Sequence, residues 1–150
     1  IDIKILDAKG VVLDTDARDV MLPRTKKDSP TIYPPAVIRA QSAREFREAA
    51  QNPNATPTAV RDFRRTERLL IRVPAADASG APAPVTAELL NRWRQPMRTL
   101  PALTEPATSR FITQFDLSLA ALAPGEYTIR LNVTHPGGVV AEHITIRVRG

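Results

Sequence analysis

The chain contains no cysteine. That excludes a disulfide scaffold and any thiolate metal site, and it leaves the redox compartment open. Aromatic residues make up only 5% of the chain, so a core must be built from Val, Ile, Leu and Ala. Phe46, Phe63, Phe111, Phe115, Tyr33, Tyr127 and Trp93 are its few large pieces. No run approaches the roughly 20 apolar residues of a membrane-spanning helix, so no membrane insertion is expected. The six glycines never cluster as a phosphate-binding loop requires. The two histidines, His135 and His143, lack His-x-x-x-His spacing, and neither is placed beside a serine. The sequence therefore offers no zinc site and no hydrolase triad, and we expect no catalytic residue, no metal ligand and no cofactor.

Proline and arginine are what the chain has in quantity. Fourteen prolines in 150 residues argue for long irregular connections and against a helical bundle. Arginine carries most of the net charge of +5. Such a balance can attract nucleic acid or an anionic membrane. Here the arginines are spread along the chain, as outward positions on strands would be, and no nucleic-acid partner is expected.

Ile1-Asp2-Ile3-Lys4-Ile5-Leu6 alternates with period two, Asp7-Ala8-Lys9-Gly10 makes a turn, and Val11-Val12-Leu13 begins a partner strand. Residues 1–22 thus read as a β-hairpin, with a further short strand at Arg18–Leu22. It would be either the edge of a sandwich or the tail of a preceding domain, and a start inside a strand pattern suggests a piece of a longer protein. Residues 23–62 read as a proline-rich linker, with a possible short strand at Ala36–Ala40 and a short helix over 42–51. Ser42 with Glu45 three residues later is a capping box. Phe46, Ala49 and Ala50 share one helical face, opposite Arg44, Arg47 and Glu48.

From residue 63 to 150 the pattern is one of strands. Leu69, Ile71 and Val73 alternate with Arg68, Leu70 and Arg72, a half-buried strand. Val85–Asn91 fits strand or helix by period, and its flanking prolines and β-branched residues favour strand. Phe111, Thr113, Phe115 and Leu117 face one way in a further strand. Tyr127, Ile129, Leu131 and Val133, then Ile144, Ile146 and Val148, alternate on either side of Pro136-Gly137-Gly138, where Gly137 and Gly138 supply positive φ angles for a hairpin. Short strands at this spacing predict a mainly β, immunoglobulin- or fibronectin type III-like antiparallel β-sandwich, with an N-terminal hairpin and one short helix. Tyr127, preceded by Gly125, stands where a tyrosine hydroxyl can pin the crossover between sheets, a structural role.

Asp14-Thr15-Asp16 with nearby Asp19 has carboxylates for calcium, but no glycine-anchored loop surrounds it, and an Asx-rich turn explains it better. Asp116-Leu117-Ser118-Leu119-Ala120 begins like a metal-adhesion motif, lacks its last hydroxyl at Ala120, and lies in a strand. Arg61, Arg64, Arg65 and Arg68 crowd one segment, while Arg92, Trp93 and Arg94, with Arg98 nearby, form a second basic spot. Arginine beside an exposed tryptophan is binding chemistry, because both tolerate desolvation and dominate interface hot spots. The alternative is that Trp93 caps the sandwich and the arginines pair with Glu67, Glu88 and Glu105.

Phe63–Arg72, Leu89–Arg92, Gln95-Pro96-Met97, Phe115–Leu119 and Leu122–Tyr127 occur in an order that resembles the C-terminal region of von Willebrand factor type A-related proteins of the kind found in acidobacteria. Arg44–Arg47 and Pro53-Asn54-Ala55 fit as well, so the resemblance spans roughly Ala36 to Val148. It implies small residues where this chain has Trp93 and Arg94. The metal-adhesion site of such proteins lies in their type A domain, and no ligand transfers here. The resemblance implies a non-catalytic accessory module of an extracytoplasmic protein, a spacer or a surface for other domains of the same chain or another envelope protein. The competing expectation is a carbohydrate- or polyanion-binding module that uses Arg92, Trp93, Arg94 and Arg98.

Overall fold

A computed structural model describes residues 2–17, 29–104 and 109–150. Its elements run β1 (Asp2–Leu6), β2 (Val12–Ala17), β3 (Thr31–Ile32), β4 (Ala36–Ala40), α1 (Ala43–Gln51), β5 (Asp62–Arg64), β6 (Arg68–Ala76), β7 (Thr86–Leu90), β8 (Pro96–Thr99), β9 (Ile112–Ser118), β10 (Gly125–His135) and β11 (Gly138–Arg149). The architecture is mainly β, in open sheets and not a barrel. One sheet has the order β5-β11-β10-β7-β8; in the other, β6 is flanked by β3 and β4 on one side and by β9 on the other. All ladders are antiparallel except β11 with β5.

Alternating residues bury one face of each sheet in a common core. Leu69, Ile71, Val73, Phe115 and Leu117 come from the β6 sheet, and Ala87, Leu89, Ile129, Leu131, Ile144 and Ile146 from the other. The polar alternates of β10 and β11 face outward, as period-two patterning requires.

Tight turn chemistry corrects the register of the last hairpin. His135 pairs with Gly138 and not with residue 140, so Pro136 and Gly137 occupy the turn centre, one residue before the expected Gly137-Gly138. Proline presets the backbone of the first turn position. A Cβ on Gly137 would lie 2.9 Å from the His135 ring, and only Gly138 of the pair has positive φ, at 130°. His135 Nδ1 accepts a 3.2 Å hydrogen bond from the Gly137 N–H, while His143 pairs with Arg130, far along the ladder.

The β6 strand is not half-buried as its pattern suggests. Its outward residues Leu70 and Arg72 are 0% and 6% exposed because α1 lies over them. Ser42 caps α1, its Oγ accepting from Glu45 N at 3.1 Å, and the Glu45 carboxylate accepts from Gln41 N at 2.7 Å. Phe46 packs with Ile38, Ala40 and Leu70, and the Arg68 guanidinium lies 4.4 Å from the Phe46 ring centre. Hydrogen bonding to Asp116 raises the pKa of that guanidinium above its ordinary value.

Arg72 closes the other end of the helix. Its guanidinium donates to the carbonyls of Ala49 (2.6 Å), Asn52 (2.8 Å) and Pro53 (3.1 Å), and Gln114 Nε2 donates to Ala50 O at 3.2 Å. The last turn of α1 has no basic residue of its own. A cation from the sheet therefore satisfies carbonyls that a helix end leaves open. Burial pushes the Arg72 guanidinium below its ordinary pKa.

Within the span expected as a linker, the short strand expected at Ala36–Ala40 is present as β4, Thr31–Ile32 forms a further strand, both pair with β6, and Val37 is fully buried in the common core. Asp77 closes the turn after β6. Its carboxylate accepts from Ser79 Oγ (2.7 Å), Ala81 N (2.9 Å) and Ser79 N (2.8 Å), which hold it below the usual carboxylate range. The N-terminal hairpin pairs β1 with β2 as a separate two-stranded sheet, with Ile5, Leu6, Val12 and Leu13 exposed. The strand expected at Arg18–Leu22 lies outside the described residues.

Candidate functional site

The β7–β8 turn is built around Asn91. Its side-chain oxygen accepts from Trp93 N and Gln95 N, both at 3.0 Å, and its amide donates to Gln95 Oε1 at 3.1 Å. Backbone bonds from Asn91 N to Gln95 O (3.0 Å) and from Arg94 N to Asn91 O (2.8 Å) close the loop. Asparagine two residues before the turn apex is an Asx-turn signal that marks this residue in the sequence. The bonds hold Arg94 at φ 62°, the one non-glycine residue with positive φ among the described residues. Glycine, which has no Cβ, adopts that conformation most readily and asparagine next, so an arginine there carries backbone strain.

This rigid turn displays Trp93 with 65% of its surface in solvent. The indole does not cap the core. The Arg92 guanidinium sits 4.1 Å from its ring centre, a cation–π stack that covers one face of the ring. Arg94 is also exposed, and neither Arg92 nor Arg94 has a carboxylate partner among the described residues.

Arg98 behaves differently. It pairs with inward-facing Leu89 on β7, and its guanidinium donates to Ser118 O at the end of β9, at 3.0 Å. It ties the two sheets together along their open side and does not join the turn. Its strand, β8, was not legible in the sequence, because Pro96 opens it and a register shift between Leu89 and Leu90 interrupts it. A short edge strand carrying proline and arginine is a poor template for pairing with another strand.

Most other arginines are occupied. Arg39 lies 3.4 Å from Glu67, Arg130 2.5 Å from Glu88, Arg149 2.9 Å from Asp62 and Arg147 3.8 Å from Glu126. Arg68 makes a two-pronged pair with Asp116, which takes that aspartate out of any adhesion-type motif. Glu105, Asp19 and the Asp16 side chain lie outside the described residues. Among the described residues, no group of three or more His, Asp or Glu side chains is placed to hold a metal ion. At the start of β10, the Tyr127 hydroxyl donates to Ala123 O at 2.8 Å, and Gly125 precedes it at φ 158°, near extended backbone.

No protein-family model matches the chain, and no curated protein matches it. Among solved structures the chain is similar to the X-ray structure of the endo-β-1,4-mannanase from Thermotoga petrophila, with 16% sequence identity and a TM-score of 0.46. The likeness covers 63% of this chain and 18% of that one, so the chain spans less than a fifth of that protein's length.

Proposed function

We propose that the chain is a non-catalytic, immunoglobulin-like β-sandwich module of a larger exported protein related to the von Willebrand factor type A group, and that its β7–β8 turn is an interaction surface. The sandwich reading is supported by two sheets with one core and by the Tyr127–Ala123 bond ahead of the penultimate strand. The exported setting rests on the sequence resemblance. The binding role is carried by one observation: a mostly exposed Trp93 on a turn where Arg94 holds a left-handed backbone that glycine would adopt without strain. Tryptophan and arginine that are exposed and fixed in place lose little freedom on binding, which is the economy of a hot spot. Its partners would be other domains of the same chain or another envelope protein.

A capture experiment tests this reading. The wild-type chain and an Arg92/Trp93/Arg94 triple-alanine variant are used as bait in envelope extract, with thermal unfolding recorded for both. We expect the variant to fold normally and to lose the partners that the wild type retains. The same partner set for two equally stable baits would contradict a binding role for the turn.

A further inference from the structure

The two basic clusters, 28 residues apart in sequence between Arg64 and Arg92, meet at one end of the fold. β11 runs parallel to β5 and antiparallel to β10, which is antiparallel to β7. Strands β5, β7 and β11 therefore all point the same way. The residues that follow β5 and β7, Arg65 and Asn91–Gln95, leave the sheet at the same end, next to the loop that enters β10. Arg65 knits this end together: its N–H donates to Arg149 O at 3.2 Å and its guanidinium to Ala120 O at 3.0 Å. The nearby carboxylates Asp62 and Glu126 are already paired with Arg149 and Arg147. What remains exposed at this end without a carboxylate partner among the described residues is Arg64 and Arg65, and Arg92 and Arg94 on either side of Trp93.

We infer that this end of the module binds an acidic polysaccharide, with Trp93 stacking on a sugar ring and the two arginine pairs holding carboxylate or sulfate groups at separate points along the extended chain. The inference rests on the binding role proposed for the turn and adds Arg64 and Arg65 to it. Three strand spacings separate β5 from β7, so the arginine pairs stand roughly 14 Å apart and an extended polyanion is needed to reach both. Guanidinium forks match carboxylate and sulfate geometry in two-pronged contacts. Arg92 covers one face of the indole and leaves the other for a ring. An extended acidic peptide fits less well, because such peptides add to open sheet edges and β8 is blunted by Pro96. Single-stranded nucleic acid stacks successive bases on a series of aromatics, and here there is one.

Titrations of the whole chain with polygalacturonate, dextran, poly-glutamate and a single-stranded oligonucleotide test the inference. Polygalacturonate should bind in a salt-sensitive way and dextran should not. Trp93→Ala and the Arg64→Ala/Arg65→Ala pair should each weaken polygalacturonate binding about tenfold, while Arg47→Ala on α1 leaves it unchanged. Poly-glutamate or the oligonucleotide binding as tightly as polygalacturonate, without response to Trp93→Ala, overturns the ligand class. If the turn variants weaken binding and the Arg64/Arg65 pair does not, the composite surface fails and the turn alone stands. If polygalacturonate does not bind while envelope capture still depends on the turn, the polysaccharide is wrong and the interaction surface survives. Loss of both effects removes both.

Discussion

Replacing Arg72 with methionine should lower stability by about 3 kcal/mol, seen as a fall of roughly 9 °C in the unfolding midpoint. The size follows from what the guanidinium holds. Arg72 lies on β6 beneath α1, and its hydrogen bonds reach the carbonyls of Ala49, Asn52 and Pro53 at 2.6–3.1 Å. Methionine keeps an unbranched apolar stem under the helix but leaves each of those carbonyls without its guanidinium donor. A nine-residue helix has little stability of its own, so loss of this latch falls directly on its docking. Arg72→Lys should recover part of the loss, because a single ammonium cannot reach all of the carbonyls. A change below about 0.5 kcal/mol for Arg72→Met would show that α1 is held by Phe46 and its neighbours alone.

Phe115→Ala should be costlier still, about 4 kcal/mol, and Phe111→Ala should cost less than about 1 kcal/mol. By alternation alone the two phenylalanines share a face. The structure separates them: Phe115 is 1% exposed between the sheets, while Phe111 precedes β9 and is 37% exposed beside Arg110. Truncating Phe115 opens a cavity that neighbours in both sheets cannot fill without leaving their strand positions. Chemical denaturation of the two variants measures the contrast directly. Equal losses would mean that Phe111 also lies in the core.

What the sequence made legible, and what it hid, divides along contact range. The β10–β11 hairpin is plain because one face meets the core and the other meets water, and the α1 cap is plain because Ser42 and Glu45 lie in one turn of chain. The burial of Leu70 and Arg72 is hidden, since it depends on α1 lying over a strand some 20 residues away. The final turn sits one residue earlier than expected, on Pro136-Gly137 and not Gly137-Gly138, which shifts the strand pairing by two. Strand β8 was invisible behind Pro96. At the candidate site, Arg92, Trp93 and Arg94 were readable as a local cluster. Their union with Arg64 and Arg65, and the diversion of Arg98 to Ser118, required the strand order.

Trp93 is the only tryptophan in the chain, so its fluorescence reports the proposed surface without interference from another indole. Steady-state quenching of the folded chain by iodide and by caesium tests the central claim most directly. An exposed indole among unpaired arginines should already emit at the wavelength of the unfolded chain, and iodide, drawn in by the cations, should quench it more strongly than caesium. A blue-shifted emission that resists both ions and moves to the red only on unfolding would contradict the account, because it would return Trp93 to the core.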